Sequence, residues 1–125
     1  MEETAPSEVQ VRAAFLRYLQ IVNGSTRHFT VGRCAASDFQ NLPARSMYDG
    51  ACPPICLFCG SAGEAAWLEK RLIEYSRQHF SGRCLNYQLG GGPQSGEAQH
   101  FVYMIEWPLA QALGLMVEQM IKGQG

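Results

Sequence analysis

Apolar positions along this chain recur with two different periods, and switching between them divides it into seven segments. Val11, Phe15, Tyr18 and Val22 repeat at the three-to-four-residue spacing of one helix face. Ser7-Glu8-Val9-Gln10 ahead of them has the Ser-x-x-Gln form in which side chains satisfy the free N–H groups of a first turn. Asn23-Gly24 reads as the stop, with glycine in the left-handed conformation, so the pattern predicts a helix over about 7–23. Arg27 to Cys34 (RHFTVGRC) reads as a strand ending near Gly32. Ser37 to Met47 is ambiguous: Ser37 or Asp38 caps a short helix carrying Phe39, Leu42 and Arg45, which Pro43 limits to about one turn. Tyr48-Asp49-Gly50 is a turn. Pro54 to Cys59 (PICLFC), apolar at successive positions, reads as a strand covered on both faces and therefore central.

The clearest helix follows. Ser61-Ala62-Gly63-Glu64 is a second capping box, and Ala65, Leu68, Leu72, Tyr75 and His79 form one stripe over about 62–80. Ser81-Gly82 ends it, and Arg83 to Gln88 reads as a short extended piece. Gly90-Gly91-Gly92-Pro93 and Ser95-Gly96 make a connecting loop. That loop lacks the Gly-Lys-Ser/Thr ending of a phosphate loop. Phe101 to Trp107 (FVYMIEW) is a strand of β-branched and aromatic residues. Pro108 suits the first turn of a last helix, whose apolar face is Leu109, Leu113, Met116, Val117 and Met120, expected to join the core. The order α, β, short α, β, α, β, α predicts an α+β fold. Its expected form is a two-layer sandwich with a small three- to four-stranded central sheet and flanking helices.

Composition narrows the class. At 125 residues the chain suits a single domain over 1–125, with 1–6 as a frayed N-terminus and 108–125 as the C-terminal helix and tail. The apolar share of 46% and the low charged share of 17% exclude a disordered chain. No run approaches the roughly 20 apolar residues of a membrane span. The acidic Met1-Glu2-Glu3-Thr4 lacks the plan of a signal peptide. Five cysteines, an odd number, exclude a full set of intrachain disulfides. The expectation is a soluble, intracellular (cytoplasmic) protein with reduced thiols.

Three of those cysteines cluster. Cys52, Cys56 and Cys59 have the spacing C-x3-C-x2-C. That spacing resembles the iron–sulfur motif of radical S-adenosylmethionine enzymes, which use much of a barrel that takes about 250 residues. Zinc is the milder alternative, with Cys84 or His79 as a fourth ligand. Strand alternation argues against zinc, because it sends Cys56 and Cys59 to opposite faces. The expectation is that both are small buried apolar residues.

Leu57-Phe58-Cys59-Gly60-Ser61, followed by the helix Leu68-Glu69-Lys70-Arg71-Leu72-Ile73-Glu74-Tyr75, resembles the second half of a GIY-YIG nuclease module. Phe58-Cys59-Gly60 stands for the YIG segment and Phe29-Thr30-Val31-Gly32 for GIY. Phe29 and Phe58 stand where that family has tyrosine, so the hydroxyl role does not carry over. In this register the resemblance implies Arg71 as the helix arginine, Tyr75 as the residue after it and Glu97 as the metal-binding acid. A second register takes Thr30-Val31-Gly32 as YIG, Arg45 as the arginine and Glu69 as the acid. Either implies a divalent metal, Mg2+ or Mn2+, on Glu97 or Glu69 to stabilise the leaving oxygen of a phosphodiester, with arginine neutralising the phosphate.

Plainer readings stand beside these. Arg71 lies one turn from Trp67 and from Tyr75 and can stack on those rings. Glu69 and Glu74 read as solvated helix positions, with Lys70–Glu74 an i,i+4 pair. Net charge is −1, and seven basic residues face five acidic ones between Gly24 and Gly90. That surplus is short of a nucleic-acid-binding stripe. Two functions are therefore expected. One is a divergent GIY-YIG-like nucleic-acid-processing domain, active or not. The other is a non-enzymatic protein-interaction module or small complex subunit, using the Met-rich C-terminal helix or a sheet edge.

Overall fold

The first two long helices begin where the sequence caps them. Gln10 N–H donates to Ser7 Oγ at 3.2 Å, and Glu64 N–H donates to Ser61 Oγ at 3.1 Å; in each box the side chain also reaches back to the capping amide. The computed structural model describes residues 3–44, 50–86 and 98–124. The elements are α1 (Glu8–Asn23), β1 (His28–Ala35), a 3-10 helix (Ala36–Ala44), β2 (Ile55–Gly60), α2 (Ala62–His79), β3 (His100–Trp107) and α3 (Leu109–Gln124). Gly24 ends α1 at φ −87°, outside the left-handed region, by donating to Gln20 and Ile21 carbonyls. Among the described residues, positive φ occurs only at Gly50, the part of the expected turn that is described. Within the described part of the expected frayed end, Thr4 N–H reaches Gly63 O at 3.2 Å and Pro6 is buried.

The fold is α+β, with a three-stranded antiparallel sheet in the order β1-β3-β2. β2 was expected at the centre and is instead at an edge; β3 is central. The cause is local. The ladder is out of step between Cys56 and Phe58, so Cys56 pairs with Tyr103 and Phe58 with Val102. The extra residue of this β-bulge lets Leu57 and Phe58 both enter the core under the helices. PICLFC thus looks apolar on both faces because its alternation is broken, not because both faces are covered.

The first face of the sheet packs on α1 and α2. Its core joins Phe29, Val31, Phe58, Val102 and Met104 to Ala14, Tyr18 and Val22 of α1 and Leu68, Leu72 and Ile73 of α2. Inside it Ser76 Oγ donates to Leu72 O at 2.7 Å, which uses its one proton. The Tyr18 hydroxyl, 2.5 Å away, is therefore the donor to Ser76. The second face is covered more thinly: Leu42 of the 3-10 helix, Leu85 and Ala112 of α3 close over Tyr103, Ile105 and Trp107.

The outer edge of β1 is occupied from Phe29 to Val31. Phe29 N–H donates to Arg83 O and Leu85 N–H donates to Phe29 O, each at 2.9 Å, and the Asn86 amide pairs with both backbone groups of Val31 at 2.8 and 2.9 Å. The extended piece expected after α2 is thus a partial fourth strand, paired in parallel at Cys84.

Gly32 lies under Tyr103. A Cβ there would stand 2.6 Å from Tyr103 Oη and 2.7 Å from Cζ, and Tyr103 is itself buried. Gly32→Ala should cost about 1–3 kcal/mol by overpacking. The check is a lower urea midpoint at unchanged slope.

Candidate functional site

Of the first register of the nuclease-like pattern, Arg71 and Tyr75 lie one turn apart on α2; of the second, Glu69 points to the other side of that helix. Arg71 is on the outer side of α2, its guanidinium 5.0 Å above the Trp67 ring and 3.7 Å from Glu74. That is the expected stacking, with Arg71–Glu74 as the ion pair in place of Lys70–Glu74. Tyr75 is half-buried among rings: 5.7 Å from Phe15, 6.1 Å from Tyr18 and 4.2 Å from His79. Phe29 and Phe58 are core residues. Glu69 stands two positions from Arg71, about 200° around the helix. Arg45 and Glu97 lie outside the described residues.

Glu69 is the largest departure from the sequence reading. It was expected in solvent and is buried, with Arg33 Nε donating to Oε1 at 3.1 Å; both side chains are over nine-tenths buried. The reason is position. Ala65 and Leu72, four before and three after it, are fully buried, so the same face of α2 carries Glu69 onto the sheet. Strand parity does likewise for Arg33, which follows Phe29 and Val31 on the helix-facing side. Those two spacings were the available signal for the pair. His100 joins them: Val102, two residues on, pairs with Arg33 across the ladder, which makes His100 a diagonal neighbour at roughly 7–8 Å between Cα atoms. Its imidazole is buried, with neither nitrogen hydrogen-bonded among the described residues.

The cysteines are also rearranged by the bulge. Cys56 pairs with Tyr103 and Cys59 with Phe101, so both lie on the second face and the expected split across the sheet does not occur. Neither is fully buried: Cys56 is half-buried and Cys59 exposed, with Cys52 half-buried nearby in sequence. Burial pushes the Cys56 thiol up. Among the described residues no group of three or more His, Cys, Asp or Glu converges to hold a metal ion.

Among the described residues, six of the eight exposed large apolar side chains are on α3. Ala112 is buried and Leu115 half-buried against the second face of the sheet. Leu109, Leu113, Met116, Val117 and Met120, expected in the core, are instead 39% to 65% exposed, and Ile121 is 65% exposed beside them. A cleft of about 370 Å3 continues this surface, lined by Ser81, Gly82, Cys84, Leu85, Met116 and Met120.

No protein-family model matches this chain, and no curated protein or solved structure matches it either. Among the described residues no helix is long and apolar enough to cross a membrane.

Glu69 generates two predictions. Burial holds its carboxyl up at about 7, against an ordinary 4.5, with Arg33 pulling the other way. The folded state is then the better proton binder between those values. Stability therefore falls as pH rises from about 4.5 to about 7, by up to ~1.4 kcal/mol per pH unit. Urea unfolding at a series of pH values should show this slope, and Glu69→Gln, which cannot ionise, should flatten it. Arg33→Met leaves the carboxylate buried without its cation. It should cost ~3–5 kcal/mol near pH 8, and clearly less near pH 5, where Glu69 is protonated.

Proposed function

We propose that this domain is a non-enzymatic protein-interaction module that docks through the outward face of α3. One observation carries the reading: six large apolar side chains on a single helix stand 39% to 65% exposed. Apolar surface left in water costs about 25 cal/mol per Å2, and a contiguous patch of this kind marks an interaction site. Leu109, Leu113, Met116 and Met120 follow one another at intervals of four, three and four. That is the spacing of a coiled-coil seam, whose residues insert between those of a facing helix.

The sheet edges are poorer candidates. The outer edge of β1 is taken by residues 83–86 from Phe29 to Val31. β2 carries a bulge and follows Pro53-Pro54, two features that discourage strand addition. In the second register of the nuclease-like reading Glu69 holds the metal, and here it faces Arg33 inside; in the first, Arg71 faces Trp67 and Glu74 on the outside of α2, and its acid Glu97 lies outside the described residues.

The test is a double variant, Leu113→Glu with Met120→Glu. At the lowest workable protein concentration, emission of a hydrophobic dye per chain should fall severalfold. Stability should stay within about 0.5 kcal/mol, since these side chains lie outside the core. Incubation of the wild-type chain with DNA or RNA and Mg2+ or Mn2+ should leave the nucleic acid intact. Unchanged dye emission, or cleavage abolished by Arg71→Ala, would overturn the proposal.

A further inference from the structure

We infer that the partner of α3 is a second copy of this chain, in a two-fold pair with the two α3 helices antiparallel across their exposed seams. The inference rests on the docking reading above and adds the identity of the occupant.

The seam is self-complementary. Reversed, its intervals of four, three and four read the same. An antiparallel helix centred between Gly114 and Leu115 therefore sets Leu109 opposite Met120 of the other copy and Leu113 opposite its Met116. Two-fold symmetry repeats both pairs, and every layer joins a leucine to a methionine. A two-fold contact requires this reciprocity, residue i meeting j while j meets i. An unbranched, adaptable methionine opposite each leucine fills the space between the helices.

Charge and area agree. From Leu109 to Val117 the helix carries no charged residue, and only Glu118 and Lys122 follow, so two copies bring no like-charge row together. The same scarcity of basic residues disfavours a lipid surface, where interfacial helices carry a Lys/Arg-rich polar face. The six exposed side chains present roughly 100 Å2 each, on the scale set by their burial energies. Burying all six covers roughly 600 Å2 per partner, the lower end of the range for a specific interface. The cleft beside Met116 and Met120 lies at the C-terminal half of α3, where an antiparallel partner delivers its N-terminal leucine.

Sedimentation equilibrium on the full chain decides. The wild-type mass should rise from 13.8 kDa toward twice that value as concentration increases through roughly 1–100 µM, while dye emission per chain falls in step. Leu113→Glu and Met116→Lys should each remain monomeric, with unchanged far-ultraviolet circular dichroism. Mixing these two variants should restore the dimer, because the antiparallel pairing sets Glu at 113 of one copy opposite Lys at 116 of the other. A dimer unaffected by either substitution, or a mixture that stays monomeric, would overturn the α3 pairing. A wild-type chain that stays monomeric yet binds dye at α3 would overturn the second copy and leave the docking reading standing. A chain that neither dimerises nor binds dye would end both. Co-flotation with phosphatidylcholine–phosphatidylserine vesicles in place of dimerisation would replace the second copy with a membrane surface.

Discussion

Everything in this fold hangs on β3 being paired along both edges and covered on both faces. β1 and β2 are far apart in the sheet and meet only through it. Its alternate residues feed two different cores: Val102 and Met104 lie under α1 and α2, while Tyr103, Ile105 and Trp107 lie under the 3-10 helix and α3. A strand in that position has no solvent face on which to place polar groups, which is why FVYMIEW is the most continuously apolar and β-prone segment of the chain. The end of β3 also sets the direction of α3, because Pro108 follows Trp107 directly and Ala112 N–H bonds back to Pro108 O.

The polar cluster under α2 is the costly part of this arrangement. Two charges removed from water lose hydration that their mutual attraction does not wholly return, so Arg33–Glu69 is weak as a source of stability. What it fixes is orientation. Glu69 opposite Arg33 sets the rotation of α2 about its axis, and any other rotation strands one of the two charges. The same rotation sends Arg71 outward to Trp67 and Glu74. One helix thus carries a buried acid and an exposed base two residues apart.

Local devices were legible in the sequence and long-range ones were not. Ser7 and Ser61 cap their helices because the capping hydrogen bonds span three residues and need nothing else. The helical stripes, the β3 strand and the Arg71–Trp67 stack were readable for the same reason. The position of β2 was not, since a one-residue bulge inverts the parity on which strand reading depends. That inversion also moved Cys56 and Cys59 to one face. Glu69 was misplaced because a carboxylate in a helical stripe reads as solvent-facing unless its partner is known, and Arg33 is 36 residues away in the chain.

By itself the sequence determined where α1 and α2 start and stop, that β3 is a strand, and that the chain folds as α+β, because periodicity, caps and turn residues act over a few neighbours. The 3-10 helix, expected as about one turn limited by Pro43, instead runs nine residues from Ala36 to Ala44 through that proline. Only the tertiary structure decided that β3 is central, that Arg33 and Glu69 meet inside, and that α3 lays Ala112 and Leu115 on the sheet while Leu113 and Met120 face out. Each of those outcomes depends on which apolar face finds cover. With α1 and α2 on one side of the sheet and the 3-10 helix, Leu85 and Ala112 on the other, both faces are closed before most of the apolar surface of α3 is buried.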